Sequence, residues 1–156
     1  MCDLNIVVVS YSQALREIQK IRRTVFQEEQ GVAPELEFDG QDDIAEHFLA
    51  YWQGQAVGTA RMRQLDESTV KIERLAVLKS ARGQGIGRKL MEKVLDRAIS
   101  QNYSKAVANA QEYVKSLYEK LGFEPVGERF EEAGIPHRKM VKQLSDSTPR
   151  SSGEQP

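Results

Sequence analysis

Six residues, Arg82-Gly83-Gln84-Gly85-Ile86-Gly87, constrain this chain more than any other stretch, because they join a strand-like run to the strongest amphipathic pattern in the sequence. Downstream, Ile86, Leu90, Met91, Val94, Leu95, Ala98 and Ile99 recur at helical spacing. Upstream, Val70 to Val77 reads as a strand. A glycine-rich turn that opens a helix aims successive backbone N–H groups and the positive end of the helix dipole at one point, which makes an anion site. Glycine also lets that backbone approach a phosphate closely. From Lys79 to Arg97 there are six basic residues and two acidic ones, so positive charge coincides with the turn and a polyanionic ligand fits it. The turn is not a P-loop, since G-x-x-x-x-G-K-[ST] is absent, and not the dinucleotide fingerprint, since Arg88 occupies the third glycine position. The competing reading is a tight turn with Arg82, Arg88 and Lys89 on a solvated face.

A chain of 156 residues, 40% hydrophobic and 29% charged, is one globular domain, expected over residues 1–144. Residues 145–156 include no apolar side chain beyond proline and glycine, so they are expected to form a disordered tail. Twenty-two Lys and Arg against 23 Asp and Glu leave a formal charge of -1, which argues against nucleic acid as a partner. The single cysteine, Cys2, excludes an intramolecular disulfide and a zinc cluster, and the two histidines, His47 and His137, lack metal-ligand spacing, so no metal is expected. No apolar run is long enough for a membrane-spanning helix and no targeting segment opens the chain, which implies a soluble, cytoplasmic protein.

Ser10 and Gln13 are spaced as a capping box ahead of a helical face formed by Ala14, Leu15, Ile18, Ile21, Val25 and Phe26, ending near Gly31. Residues 32–45 read as a long loop with a short helical turn. His47 to Trp52 and Ala56 to Leu65 read as a hairpin that Val70 to Val77 extends. Strict alternation in that third strand puts Lys71, Glu73, Leu75 and Val77 on one face. Lys105 to Gln111 reads as a buried strand, Tyr113 to Leu121 as a short helix stopped by Gly122, and Glu124 to Phe130 with His137 to Leu144 as a second hairpin.

Three segments in order, Ile72-Glu73-Arg74-Leu75-Ala76-Val77, Arg82-x-x-Gly85-x-Gly87 and Leu117-Tyr118-x-x-Leu121-Gly122-Phe123, resemble the motifs of the GNAT superfamily of acyl-CoA-dependent N-acyltransferases. Arg22-x-x-Val25-Phe26-x-x-Glu29-Gln30 and Glu132-Ala133-Gly134-Ile135-Pro136-His137 resemble its small bacterial ElaA/YjcF-type branch. The resemblance implies an α/β (α+β) fold: a mixed, mostly antiparallel seven-stranded sheet flanked by about four helices, with strands 4 and 5 splayed to admit a pantetheine arm. It implies acetyl-CoA as co-substrate and a small-molecule or peptide amine as acceptor, attacked directly in a ternary complex. By motif position, the main chain of Leu75, Ala76 and Val77 would pair with the pantetheine. Arg82, Gly83, Gln84, Gly85, Ile86 and Gly87 would hold the pyrophosphate, with Arg88 assisting. Where many members have Asn, this chain has Gln111.

Acyl transfer from a thioester to an amine needs a neutral amine, stabilisation of an oxyanion and a proton for the leaving thiolate. By motif position Tyr118 would supply that proton, against the alternative of a core tyrosine. Relatives place a base where Glu73 or Lys71 stands here, with His137 or a water relay from Glu73 as the alternatives. Desolvation among apolar neighbours is expected to raise the Glu73 pKa, while the competing reading pairs it with Arg74 or Arg61. The main-chain N–H of Leu75 or Ala76 would face the oxyanion. Glu29 and His137, in the branch segments, are candidate substrate-binding residues. No Lys or Arg lies between Arg23 and Arg61, while eight carboxylates fall between Glu28 and Glu46, which suggests attraction of a cationic amine or, alternatively, a solvated acidic face. A non-catalytic acyl-CoA-binding or sensing module is the alternative function, an acyl-homoserine lactone synthase a remoter one, and exposed strands would allow a homodimer.

Overall fold

The structure, a computed structural model, describes residues 3–144; Cys2 and the expected tail 145–156 lie outside the described residues. Seven strands form one sheet: β1 (Leu4–Val9), β2 (Glu46–Trp52), β3 (Gln55–Gln64), β4 (Thr69–Val77), β5 (Lys105–Gln111), β6 (Glu124–Glu132) and β7 (Ile135–Gln143). Their order is β1-β2-β3-β4-β5-β7-β6, antiparallel throughout except for the parallel β4–β5 pair. Four α-helices flank it: α1 (Leu15–Arg22), α2 (Pro34–Glu37), α3 (Ile86–Ser100) and α4 (Lys115–Lys120). This is the expected mixed seven-stranded architecture. No helix among the described residues is long and apolar enough to cross a membrane.

Local sequence accounts for most of these elements. Ser10 Oγ accepts from the Gln13 N–H at 3.2 Å and Gln13 Oε1 from the Ser10 N–H at 2.9 Å, a reciprocal capping box that closes the turn leading into α1. After α1 the chain widens into a π-helical segment, Arg23–Glu29, before Gly31 turns it at φ +73°. On α3, Ile86, Leu90, Met91, Val94, Leu95 and Ala98 are buried against the sheet, whereas Ile99 is exposed. At about 100° per residue Ile99 falls past the edge of the apolar arc. Gly58 lets α3 come close: a Cβ there would lie 2.9 Å from Leu90 Cδ1 and 3.3 Å from the Ala76 carbonyl oxygen. The opposite face of the sheet packs a second cluster built on Ile18, Ile21, Val25, Phe26 and Leu49. Leu4–Val9, legible only as an apolar stretch, is the first strand of the sheet, because it pairs over six residues with β2, distant in sequence.

Two irregularities in β4 set the surroundings of its C-terminal half. First, β4 pairs with β5 only over Thr69–Lys71 and Lys105–Val107, after which the two strands diverge and leave the β5-facing main chain of residues 72–77 without a strand partner. Second, Arg74 adopts φ +57° and forms a bulge: Arg61 of β3 faces Glu73 and Thr59 faces Ala76, so Arg74 and Leu75 together oppose one residue. A bulge reverses the alternation. Val70 and Ile72 belong to the α3-side core, and beyond the bulge Leu75 and Val77 pack against that same core while Ala76 turns to the α1 side. The expected common face of Glu73, Leu75 and Val77 is therefore corrected: Glu73 points away from both, toward Arg61 and Arg63.

Candidate active site

The divergence of β4 and β5 opens a cavity of about 700 Å³ that runs from the glycine turn, past the bulge, to β7. Leu75, Ala76, Val77, Arg82, Gly83, Gly85, Ile86, Gly87 and Arg88 line it, as do Glu73, Tyr118 and His137. Gln84 and Glu29, expected at the same site, do not. Gly83 and Gly85 both take left-handed conformations (φ +81° and +79°), and a Cβ on either would meet nothing within 4 Å, so the turn presents open backbone at the start of α3. Side chains therefore leave the mouth of that helix accessible to an anion.

Arg82 is already engaged at this end. Its Nε donates to the Val77 carbonyl oxygen at 2.8 Å and its Nη2 to Glu29 Oε1 at 2.5 Å. Glu29, expected beside the acceptor, instead holds an arginine of the turn.

Tyr118 projects from α4 and is buried, its ring edge-on to Phe123 with centroids 5.4 Å apart. Burial alone pushes its hydroxyl well above the usual phenol range, so it stays protonated at any physiological pH. His137 is 6% exposed, with Nδ1 2.7 Å from the Ile135 carbonyl oxygen. A carbonyl can only accept, so Nδ1 carries the proton and the lone pair of a neutral ring sits on Nε2. Gln111 reaches across the cavity to Gln30, donating through Nε2 to Gln30 Oε1 at 2.9 Å. Asn109 donates to Glu132 at 3.2 Å.

Glu73 behaves differently from expectation. Burial pushes its carboxyl up, but hydrogen bonds from Arg63 and Arg61 and the charges of Arg61 and Lys71 outweigh that and bring it down to about 2. The expected rise is overturned, and the competing pairing with Arg61 holds, because strand pairing places three cations around one carboxylate. Arg61 is the centre of this arrangement: wholly buried, it donates to Glu73, to both oxygens of Asp39 and to Asp42. Buried Arg22 binds Glu37 and Asp42, and Arg74 reaches the Glu37 carbonyl and Asp39, which anchors the left-handed residue of the bulge. Glu46 pairs with Arg97. Most of the acidic segment is thus neutralised: arginines from elsewhere take up Glu29, Glu37, Asp39, Asp42 and Glu46, while Glu28, Glu35 and Asp43 stay exposed. The sequence marks Arg22 only within a branch segment and Arg61 only as an alternative partner of Glu73, and nothing in it joins them to the run of acids that they bind.

This network makes stability acid-labile. Glu73 and Asp39 are both depressed in the folded chain, Asp39 by its hydrogen bonds from Arg61 despite partial burial. Groups depressed on folding stabilise above their unfolded pKa, and that contribution is lost as pH falls toward the folded value. For Glu73 the window runs from the ordinary 4.5 down to about 2. Its share is on the order of 3 kcal/mol. Buried His47, whose pKa desolvation lowers, adds loss in the same direction once acid must charge it. Urea midpoints should fall steeply below about pH 4.5; a midpoint flat from pH 6 to about 3 would contradict this reading.

Among the described residues no group of three His, Cys, Asp or Glu side chains could hold a metal ion. The family profile described as "Acetyltransferase (GNAT) domain" matches residues 12–144. The uncharacterized N-acetyltransferase YjcF of Bacillus subtilis is 34% identical over 137 residues, covering 87% of this chain and 97% of its own. Protein ElaA of Escherichia coli is 33% identical over 147 residues, covering 91% and 95%; its crystal structure superposes with a TM-score of 0.78 over 88% of this chain and 99% of its own. A GNAT family acetyltransferase from Elizabethkingia anophelis, solved with acetyl-CoA bound, is 20% identical and shares the fold at a TM-score of 0.72, covering 91% and 99%. With its splayed β4–β5 pair and its open glycine turn at the start of α3, this chain belongs to the GNAT acetyltransferase family.

Proposed function

We propose that the protein transfers an acetyl group from acetyl-CoA to an amine by direct attack within the β4–β5 cavity. The observation that carries this reading is the continuity of one cavity from the open backbone of Gly83 and Gly85 to the buried phenol of Tyr118 and the imidazole of His137. The thioester supplies an activated acyl carbon. Backbone N–H groups of the turn, with Arg82 and Arg88, bind the pyrophosphate, and the main chain of Leu75, Ala76 and Val77, on the side that β5 leaves open, receives the pantetheine. A main-chain N–H at Leu75 or Ala76 faces the developing oxyanion. Tyr118 gives its hydroxyl proton to the sulfur as the C–S bond breaks.

His137 Nε2 accepts the proton that the amine loses, since its lone pair is freed by the Nδ1–H to Ile135 contact. Glu73 is a positioning residue here: a carboxylate held near pKa 2 is a poor proton acceptor at neutral pH, and it orients Arg61 and Arg63 instead.

Titration calorimetry with coenzyme A tests binding, and thiol release from acetyl-CoA across an amine panel tests transfer. Tight binding without turnover for any amine would favour the sensing module instead. Gly85→Ala, which forces a side chain into the left-handed region, should weaken coenzyme A at least about tenfold and cost about 1–2 kcal/mol of stability. Unchanged calorimetric affinity in that variant would remove the turn from the binding site.

A further inference from the structure

The two ends of the cavity are built differently. One is the glycine turn; the other is a polar sheet face contributed by neighbouring strands. The register sets Arg63 of β3 directly opposite Lys71 of β4, and Arg61 opposite Glu73. Like charges directly opposite on adjacent strands repel unless a counter-charge lies between them. The counter-charge is one carboxylate: Glu73 lies 2.7 Å from Arg61 Nη2, 2.9 Å from Arg63 Nε and 3.5 Å from Lys71 Nζ.

Followed outward, this connected set of ion pairs holds five cations, Arg22, Arg61, Arg63, Lys71 and Arg74, and four carboxylates, Glu37, Asp39, Asp42 and Glu73. Of this set Arg63, Lys71 and Arg74 line the cavity, as do Glu37, Asp39 and Glu73, and the two cations that share Glu73 at its wall are Arg63 and Lys71. The side chains of Arg22 and Arg61 are sealed at 1% and 0% exposure, while those of Arg63 and Lys71, at 21% and 24%, line its wall. Lys71 is the more weakly tied of the two: both pair with Glu73 alone among the described residues, but Arg63 donates two hydrogen bonds to it while Lys71 Nζ stands 3.5 Å away, and an ammonium carries three donors. Glu132, which accepts from Asn109 and also lines the cavity, offers a carboxylate to the opposite charge.

We propose that the amine acceptor carries an anionic oxygen group, a carboxylate or a phosphate, which docks on Lys71 Nζ and the Arg63 guanidinium. The inference rests on the acyl-transfer reading and deepens it: acceptors are amino acids or phosphorylated amines, not polyamines. The bound anion completes the counter-charge of Arg63 and Lys71, whose one carboxylate among the described residues is Glu73. Glu132 receives the ammonium end before the amine is deprotonated.

Thiol release from acetyl-CoA, compared for lysine with cadaverine, tyrosine with tyramine, histidine with histamine, and phosphoethanolamine with ethanolamine, tests this. In at least one pair the member that carries the carboxylate or phosphate should show kcat/KM about tenfold or more above its counterpart without that group. The pair that responds separates carboxylate from phosphate. Lys71→Met should reduce that preference to within about threefold through KM with little change in kcat, and Lys71→Arg should restore most of it. Counterparts without the carboxylate or phosphate equal or preferred in every pair, with thiol released, would overturn the proposal while leaving acyl transfer standing. Loss of coenzyme A affinity in Lys71→Met would also overturn it, by assigning the cations to the nucleotide. Should no amine release thiol, N-acetyltyrosine and N-acetyltyramine are titrated into the coenzyme A complex and followed by NMR. Binding of the acid alone then upholds the anion site without acyl transfer, and equal or absent binding refutes it.

Discussion

Arg61→Met is expected to lower the free energy of unfolding by roughly 3–5 kcal/mol, because it strands buried carboxylates without their shared cation. A domain of this size holds roughly 5–15 kcal/mol in all, so the variant should sit near the edge of folding. Methionine nearly fills the volume of the arginine stem, which leaves charge as the main change. Arg61 is wholly buried and its guanidinium serves Asp39, Asp42 and Glu73 at 2.7–3.0 Å. Arg63→Met is the control: partly exposed and bound to Glu73 alone, it should cost about 1 kcal/mol. Urea unfolding followed by the fluorescence of Trp52 reads both. The two proteins should converge as pH falls from about 4.5 toward 2, since wild type loses by protonation what the variant lost by substitution. An Arg61→Met midpoint equal to wild type at neutral pH would show that the network contributes nothing net.

Tyr118→Phe should reduce kcat by about 10²–10⁴-fold while leaving coenzyme A affinity within about threefold of wild type. The ring keeps its edge-on contact with Phe123, and burial alone raises the hydroxyl pKa, so the substitution removes a proton donor and little else. Because that pKa lies far above neutrality, the wild-type rate should show no alkaline decline from this group across the range in which the protein is folded. A thiolate leaving from a substrate with a better leaving group should need the proton less, so an activated thioester should recover part of the lost rate. Wild-type turnover in Tyr118→Phe under conditions where chemistry limits the rate would return Tyr118 to the role of a core residue.

Much of the scaffold was legible in local pattern. The arc from Ile86 to Ala98 is buried as helical spacing requires, Gly122 ends α4 at φ +97°, and Gly83 and Gly85 take the left-handed backbone that a strand-to-helix turn needs. β1 was harder, since a short apolar stretch without periodicity acquires meaning only from the strand it pairs with. Of the two readings of Glu73, the pairing with Arg61 holds and the raised pKa does not, for a related reason. Alternation assumed an unbroken strand, and no local signal marks Arg74 as a bulge; the carbonyls of Leu36 and Glu37, almost forty residues away, hold it there. The run of acids between Glu28 and Glu46 looked like a field for cations until arginines from α1, β3, β4 and α3 closed on it.

The amino-acid order alone determined most of the secondary elements, though not β1 or the β4 bulge, together with the open turn before α3 and the family to which the chain belongs, because periodicity, capping and glycine conformations act between near neighbours along the chain. Tertiary structure alone decided the charge state of Glu73, the partners of Asp39 and Asp42, and the cationic wall at Lys71 and Arg63. A carboxylate's pKa depends on what stands within a few ångströms in space, and here those neighbours come from strands and loops that the sequence keeps well apart.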